Sequence, residues 1–213
     1  MGKSKKFKPK KQYTPQGKKK LFSPGALVAI FIGFVMVSST LGFIASYTTG
    51  GGTGAKVPYG EYTFTQTQRG YALVLDDVEL EFSYFPESLT HIQISDDIVS
   101  TLKNSKQVIV TYDPSSSING SAGLIQYNLE QVYDKVFDSF ASRALINNTA
   151  YPQIPQADCS DATEFVPVLV WELGNESRMI KDGNCIHAQA LSDFDAIRLH
   201  DKLLYLMIGV MQE

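Results

Sequence analysis

Apolar positions along the chain follow three different periods. Ala26 to Ala45 is an uncharged run of 20 residues, close to the ~20 needed to cross a hydrocarbon core of about 30 Å. It predicts a transmembrane helix over 23–46. Ser23 is placed to cap its first free N–H groups, and Pro24 suits the first turn, where a missing N–H costs nothing. Beyond it, period two takes over. Tyr62–Gln68, Tyr71–Asp76 and Glu79–Phe85 predict a meander, and the third segment sets Leu80, Phe82 and Tyr84 against Glu79, Glu81 and Ser83, the mark of a half-buried sheet.

A helical period then alternates with short apolar runs. Ser95 to Leu102 predicts a short helix, and Gln107–Tyr112 (QVIVTY) a buried central strand closed by the Asp113-Pro114 turn. Ile125, Leu129, Val132, Val136 and Phe140 recur at three- and four-residue spacing, predicting an amphipathic helix from Leu124 to Phe140. A proline-bearing loop follows (Asn147–Asp158), then a strand over Phe165–Glu172. Gly174-Asn175 and Asp182-Gly183 mark turns around strands Arg178–Lys181 and Cys185–Ala190. Ser192-x-x-Asp195 opens a last helix running to about Met211, whose second half is apolar on all sides and is expected to be enclosed. The pattern is that of one α+β (mixed α/β) domain with a meander, a mixed sheet and two or three helices.

Charge adds orientation. Nine lysines lie between Lys3 and Lys20, and the first acidic residue is Glu61. The overall charge of −3 therefore divides into a basic head and, after residue 20, ten basic against 22 acidic residues, a formal −12. Lysines directly before an apolar span hold that flank in the cytoplasm and attract anionic lipid headgroups. The expectation is a single-pass protein of the cell membrane with its N-terminus inside, a disordered tail (1–22), the span (23–46), a Gly/Thr-rich linker (47–56) and an extracytoplasmic domain (57–213). A cleaved signal peptide is the competing reading, but its core runs about 7–15 residues. Nucleic acid is not an expected partner, because topology already accounts for the lysines. Small residues at four-residue spacing, Gly25/Ala29/Gly33 and Ser38/Gly42/Ser46, make close helix packing in the membrane, with a homo-oligomer or an envelope protein, a legitimate expectation.

Candidate chemistry is sparse. Cys159 and Cys185 are the only cysteines and, outside a membrane, should form a structural disulfide. A redox site lacks C-x-x-C spacing, and a metal site on Cys159, Cys185 and His187 is a ligand short, so no cofactor or metal is expected. Asn119, Asn147 and Asn175 head glycosylation sequons in segments read as loops. The acidic groups Asp76-Asp77, Asp96-Asp97 and Asp158–Glu164 read as solvated surface and helix starts rather than a calcium site. No nucleophile elbow, zincin pair or phosphate loop is present, and His200 beside Asp201 on one helix is not expected to form a dyad.

The basic tail and span, Gly60-Glu-Tyr-Thr-Phe64, Val110-Thr-Tyr-Asp-Pro114, Cys185-Ile-His-Ala188 and the ending Ala196-Ile-Arg-Leu-His-Asp-Lys-Leu-Leu-Tyr205 together resemble uncharacterised archaeal single-pass membrane-anchored envelope proteins. The resemblance implies a compartment and no activity. The functional expectation is a membrane-tethered extracytoplasmic binding or scaffolding domain, more in keeping with a non-enzyme, with a pilin-like filament subunit and an extracytoplasmic hydrolase or thiol/metal site as alternatives.

Overall fold

The computed structural model describes residue 25 and residues 28–38, 54–146 and 150–212. The chain divides into two compact units, Met1–Gly51 and Gly52–Glu213. In the first, residues 28–38 are helical, with Ile30, Phe31, Ile32, Phe34 and Met36 all exposed. No helix among the described residues is long and apolar enough to cross a membrane. The lysine tail, most of the linker, Gly42, Ser46 and Asn147 lie outside the described residues.

The second unit is α+β. Its first sheet is an antiparallel meander in the order β1 (Lys56–Tyr59), β2 (Tyr62–Gln66), β3 (Tyr71–Leu75), β4 (Val78–Phe82). The expected three strands gain a fourth at the front, β1. Its Pro58 is tolerated because a proline on an edge strand forfeits no ladder bond. The turn from β3 to β4 is two residues long, and Asp76 and Asp77 both have positive φ, 45° and 67°, as a tight hairpin of this type requires.

Next come α1 (Asp96–Asn104), β5 (Gln107–Tyr112), α2 (Asn119–Val136), β6 (Phe140–Leu145), β7 (Val168–Leu173), β8 (Arg178–Asp182), β9 (Cys185–Ala190) and α3 (Asp193–Met207). The second sheet runs β6-β5-β7-β9-β8, parallel except for β8 at one edge. Here the sequence pattern misled. The helix expected over Leu124–Phe140 starts at Asn119 and stops at Val136, and Phe140 opens a strand of its own. The helix ends because Asp138 adopts φ 47° and the Ser139 N–H returns to the Tyr133 carbonyl.

The apolar second half of α3 is enclosed, as expected, with every residue from Leu199 to Met207 buried. On one side Tyr205 stacks on Phe82 at 4.2 Å and meets Phe64 edge-on at 5.8 Å; the other side meets β9. The helix thus joins meander and mixed sheet in one core. Asp201 strengthens the joint: its Oδ2 accepts the N–H groups of Ser83 (2.8 Å) and Tyr84 (2.9 Å) just beyond β4. Contrary to expectation, His200 does touch Asp201, Nδ1 to Oδ1 at 3.2 Å. Both are buried, so the pair stiffens the core rather than meeting a substrate.

Strand alternation gives the mixed sheet two faces. Val108, Val110, Leu169, Trp171, Ile186 and Ala188 join the main core, while Val168, Val170 and Cys185 form a smaller cluster with Ile109, Ile146, Cys159 and Ala162. Ile146 and the segment from Ala150 to Pro167 therefore cover part of the second face, and both features of functional interest lie beside that segment.

Candidate functional site

The first feature begins with register. Val168 pairs with Cys185, Val170 with His187 and Glu172 with Gln189, so alternate residues of β7 and β9 set Cys185, His187, Glu172 and Gln189 on one face. Cys159, in a short 3-10 turn over that face, forms a disulfide with Cys185 across 26 residues of chain. The expected pairing is present. Asp158 builds the turn: its side chain accepts the Ser160 N–H at 2.7 Å, and Asp161 accepts the Asp158 N–H at 2.9 Å. The Ser160 contacts hold the Asp158 carboxyl below its usual range. These carboxylates are engaged in making a turn, which is the surface reading expected for this cluster.

His187 is the residue that composition undervalued. Its Nε2 lies 3.4 Å from Cys159 Sγ, and its Nδ1 lies 3.3 Å from Glu172 Oε1. A carboxylate only accepts, so Nδ1 donates its proton to Glu172 and Nε2 is the ring nitrogen that faces the sulfur. Glu172 is fixed in turn: Gln189 Nε2 donates to the same oxygen at 2.9 Å, and Arg178 Nε donates to Gln189 Oε1 at 3.1 Å. Sulfur, imidazole, carboxylate and amide form a row from the 3-10 turn across β7 and β9. Glu172 was missed because only the pairing of β7 with β9 brings it to His187; its one trace in the sequence is a charge ending an otherwise apolar run.

The second feature is an open strand edge. Phe140 N–H donates to Lys106 and Ile146 N–H to Tyr112, so even-numbered residues of β6 bond to β5 and the odd ones face outward. At Leu145 those outward groups are taken by the Pro155 carbonyl and the Ala157 N–H. The N–H and C=O groups of Ala141 and Arg143 have no such partner among the described residues. They border a groove of about 660 Å³ whose walls include Glu130 and Asp134 of α2 and Gln153 to Pro155 of the covering segment. Phe140, 70 % exposed, stands at its end, and Arg143 reaches Glu130 at 3.1 Å.

No known protein family, curated protein or solved structure matches this chain.

Beyond the carboxyl ends of β5 and β7, where a parallel sheet most often receives a ligand, a carboxylate of the protein itself stands at the start of α2. Asp193 of α3 accepts the Ser121 N–H at 3.2 Å and occupies the anion-binding start of α2. Of the sequons, Asn175 is exposed in the turn between β7 and β8. Asn119 is not in a loop as expected: it is the first residue of α2, its amide donates to the Pro114 carbonyl at 3.0 Å, and Ser121 is buried. Gly25, Ala29, Gly33 and Ser38 lie in the described helical residues, and a Cβ on Gly25 or Gly33 would meet nothing.

Proposed function

We propose that the protein is a single-pass, membrane-tethered extracytoplasmic domain that binds an extended segment of another envelope protein by strand addition along β6. The carrying observation is the pair of outward-facing residues Ala141 and Arg143, whose four backbone groups have no backbone partner among the described residues and lie beside a groove wide enough for a few residues of extended chain.

The other edges are blunted in ways that natural sheets use against pairing. β1 carries Pro58, β4 alternates Glu79 and Glu81, and β8 carries Arg178, Lys181 and Asp182. β6 instead offers Phe140, an alanine and a serine at its start. Arg143 is neutralised by Glu130, which leaves the Asp134 carboxylate to set the charge of the groove. The fitting partner segment is extended, apolar where it crosses Phe140 and cationic beside Asp134.

The tether and compartment rest on the uncharged 20-residue run, the nine lysines before it, the exposed apolar side chains of helical residues 28–38 and the disulfide in the domain. Protease added to intact cells should remove the domain while sparing the lysine tail; digestion only after lysis would place it inside and end this reading. A photo-crosslinker at Phe140 should capture one protein through a basic, extended segment. Ala141→Pro should abolish the adduct, since that N–H bonds nothing in the sheet, and because the Ala141 side chain packs in the main core the folding of the variant is checked by circular dichroism. An adduct indifferent to both Ala141→Pro and Asp134→Lys would refute strand addition.

A further inference from the structure

The row that ends at Cys159 is arranged for more than a structural disulfide. Sγ of Cys159, Sγ of Cys185 and a ring nitrogen of His187 lie within 4.8 Å of one another, and Cys185 and His187 project from the same face of β9 two residues apart. A tetrahedral zinc with bonds of ~2.3 Å to sulfur and ~2.05 Å to nitrogen holds sulfur and nitrogen about 3.6 Å apart. His187 Nε2 already stands 3.4 Å from Cys159 Sγ. Two zinc-bound sulfurs stand about 3.8 Å apart by the same geometry, a separation that cleavage of the S–S bond permits.

The outer groups match as well. A metal-bound histidine generally donates its other N–H to a carboxylate, which fixes the ring and raises the basicity of the coordinating nitrogen. Glu172 is in that position on Nδ1, and Gln189 steadies it. Asp158 and Asp161 flank Cys159 in the chain, and Asp182 pairs with Cys185 across β8 and β9, so the surroundings favour a cation. Cys185 is buried while Cys159 and His187 are half-buried, leaving a side from which solvent supplies a fourth ligand.

We infer that the Cys159–Cys185 disulfide masks a redox-gated site for a borderline-soft divalent cation such as Zn²⁺, held by Cys159, Cys185 and His187 Nε2 with Glu172 orienting the histidine. A dithiol reductant supplies two electrons and two protons, cleaving the S–S bond to two thiols and leaving as its own disulfide. Binding of the dication then releases the two thiol protons to solvent and completes the site with water. Exchange with the disulfide form of that reductant, which takes up two electrons and two solvent protons and leaves as its dithiol, re-forms the S–S bond and expels the metal.

The test uses the full chain in detergent, with Co²⁺ as the spectroscopic probe and Zn²⁺ as competitor. After reduction with a phosphine and its removal, Co²⁺ should bind one to one with a thiolate-to-cobalt charge-transfer band, and Zn²⁺ should displace it. The unreduced protein should show no band. Cys159→Ser and His187→Ala should remove or strongly weaken binding, Glu172→Gln should weaken it about 10- to 100-fold, and the exposed His91→Ala should leave it unchanged. Folding of each variant is checked by circular dichroism. No charge-transfer band in the reduced wild type, equal binding by the unreduced form, or a folded Glu172→Gln and a folded His187→Ala with wild-type affinity would each overturn the assignment.

Discussion

At the scale of single residues, several side chains hold positions that their neighbours in sequence do not explain. Asp77 sits at φ 67° in the β3–β4 turn, where an L side chain is strained and glycine is not. Asp77→Gly should stabilise the domain by about 1 kcal/mol in urea unfolding. Asp201 is the opposite case, a buried carboxylate accepting two backbone N–H groups. Asp201→Ala orphans both donors and should cost about 3 kcal/mol or more by the same measurement. Burial pushes the phenols of Tyr133 and Tyr205 well above the usual 10.0, and the Asp201 charge adds to the effect at Tyr205. Their folded-state proton affinity exceeds the unfolded value, so the stability they contribute is complete below pH ~10 and is lost as pH rises above it. Alkaline titration followed by phenolate absorbance should show these two tyrosines ionising only as the domain unfolds; smooth ionisation of all eleven tyrosines below the unfolding transition would contradict the packing.

At the scale of elements, legibility depended on whether the deciding partner was local. β5, β8, β9 and the start of α3 follow from period, turn residues and a cap that all lie within a few residues, as with Ser192 and Asp195. The start of α2 could not be read, because its capping carboxylate, Asp193, arrives from 72 residues away. Its end was hidden because an aspartate, not a glycine, takes the left-handed position, and Phe140 continues the helical spacing by coincidence. β6 was lost with it, and so was the open edge. Gln126 shows how firmly α2 and the strands beneath are joined: its amide donates to the Val110 carbonyl at 2.6 Å and the Ala144 carbonyl at 2.9 Å. Gln126→Leu leaves both carbonyls without that donor and should lower stability by about 1–3 kcal/mol, measured by denaturant unfolding.

At the scale of the whole molecule, disulfide pairing was legible from the cysteine count and the expected compartment, whereas the His187–Glu172 contact needed the strand order, which no local pattern carries. Closing a loop of 26 residues stabilises the folded state by about 3 kcal/mol in the chain-entropy description. Cys159→Ser with Cys185→Ser should lower the thermal midpoint accordingly, and an unchanged midpoint would show that the segment over the second face is held by its packing alone.

The position of β1 carries a mechanical consequence. The chain enters the domain at Lys56, at the open end of the β1–β2 hairpin, where Lys56 faces Thr65, while the closed end lies at Tyr59 and Tyr62. A pull from the N-terminal side therefore loads one rung of that ladder at a time, peeling β1 away like a zipper instead of shearing all rungs together. β1 is an outer strand with Pro58 within it, so it yields first and lengthens the chain leading into the domain by several residues while the Asp201 joint and the mixed sheet stay intact. Under tension the domain would give slack before it gives way.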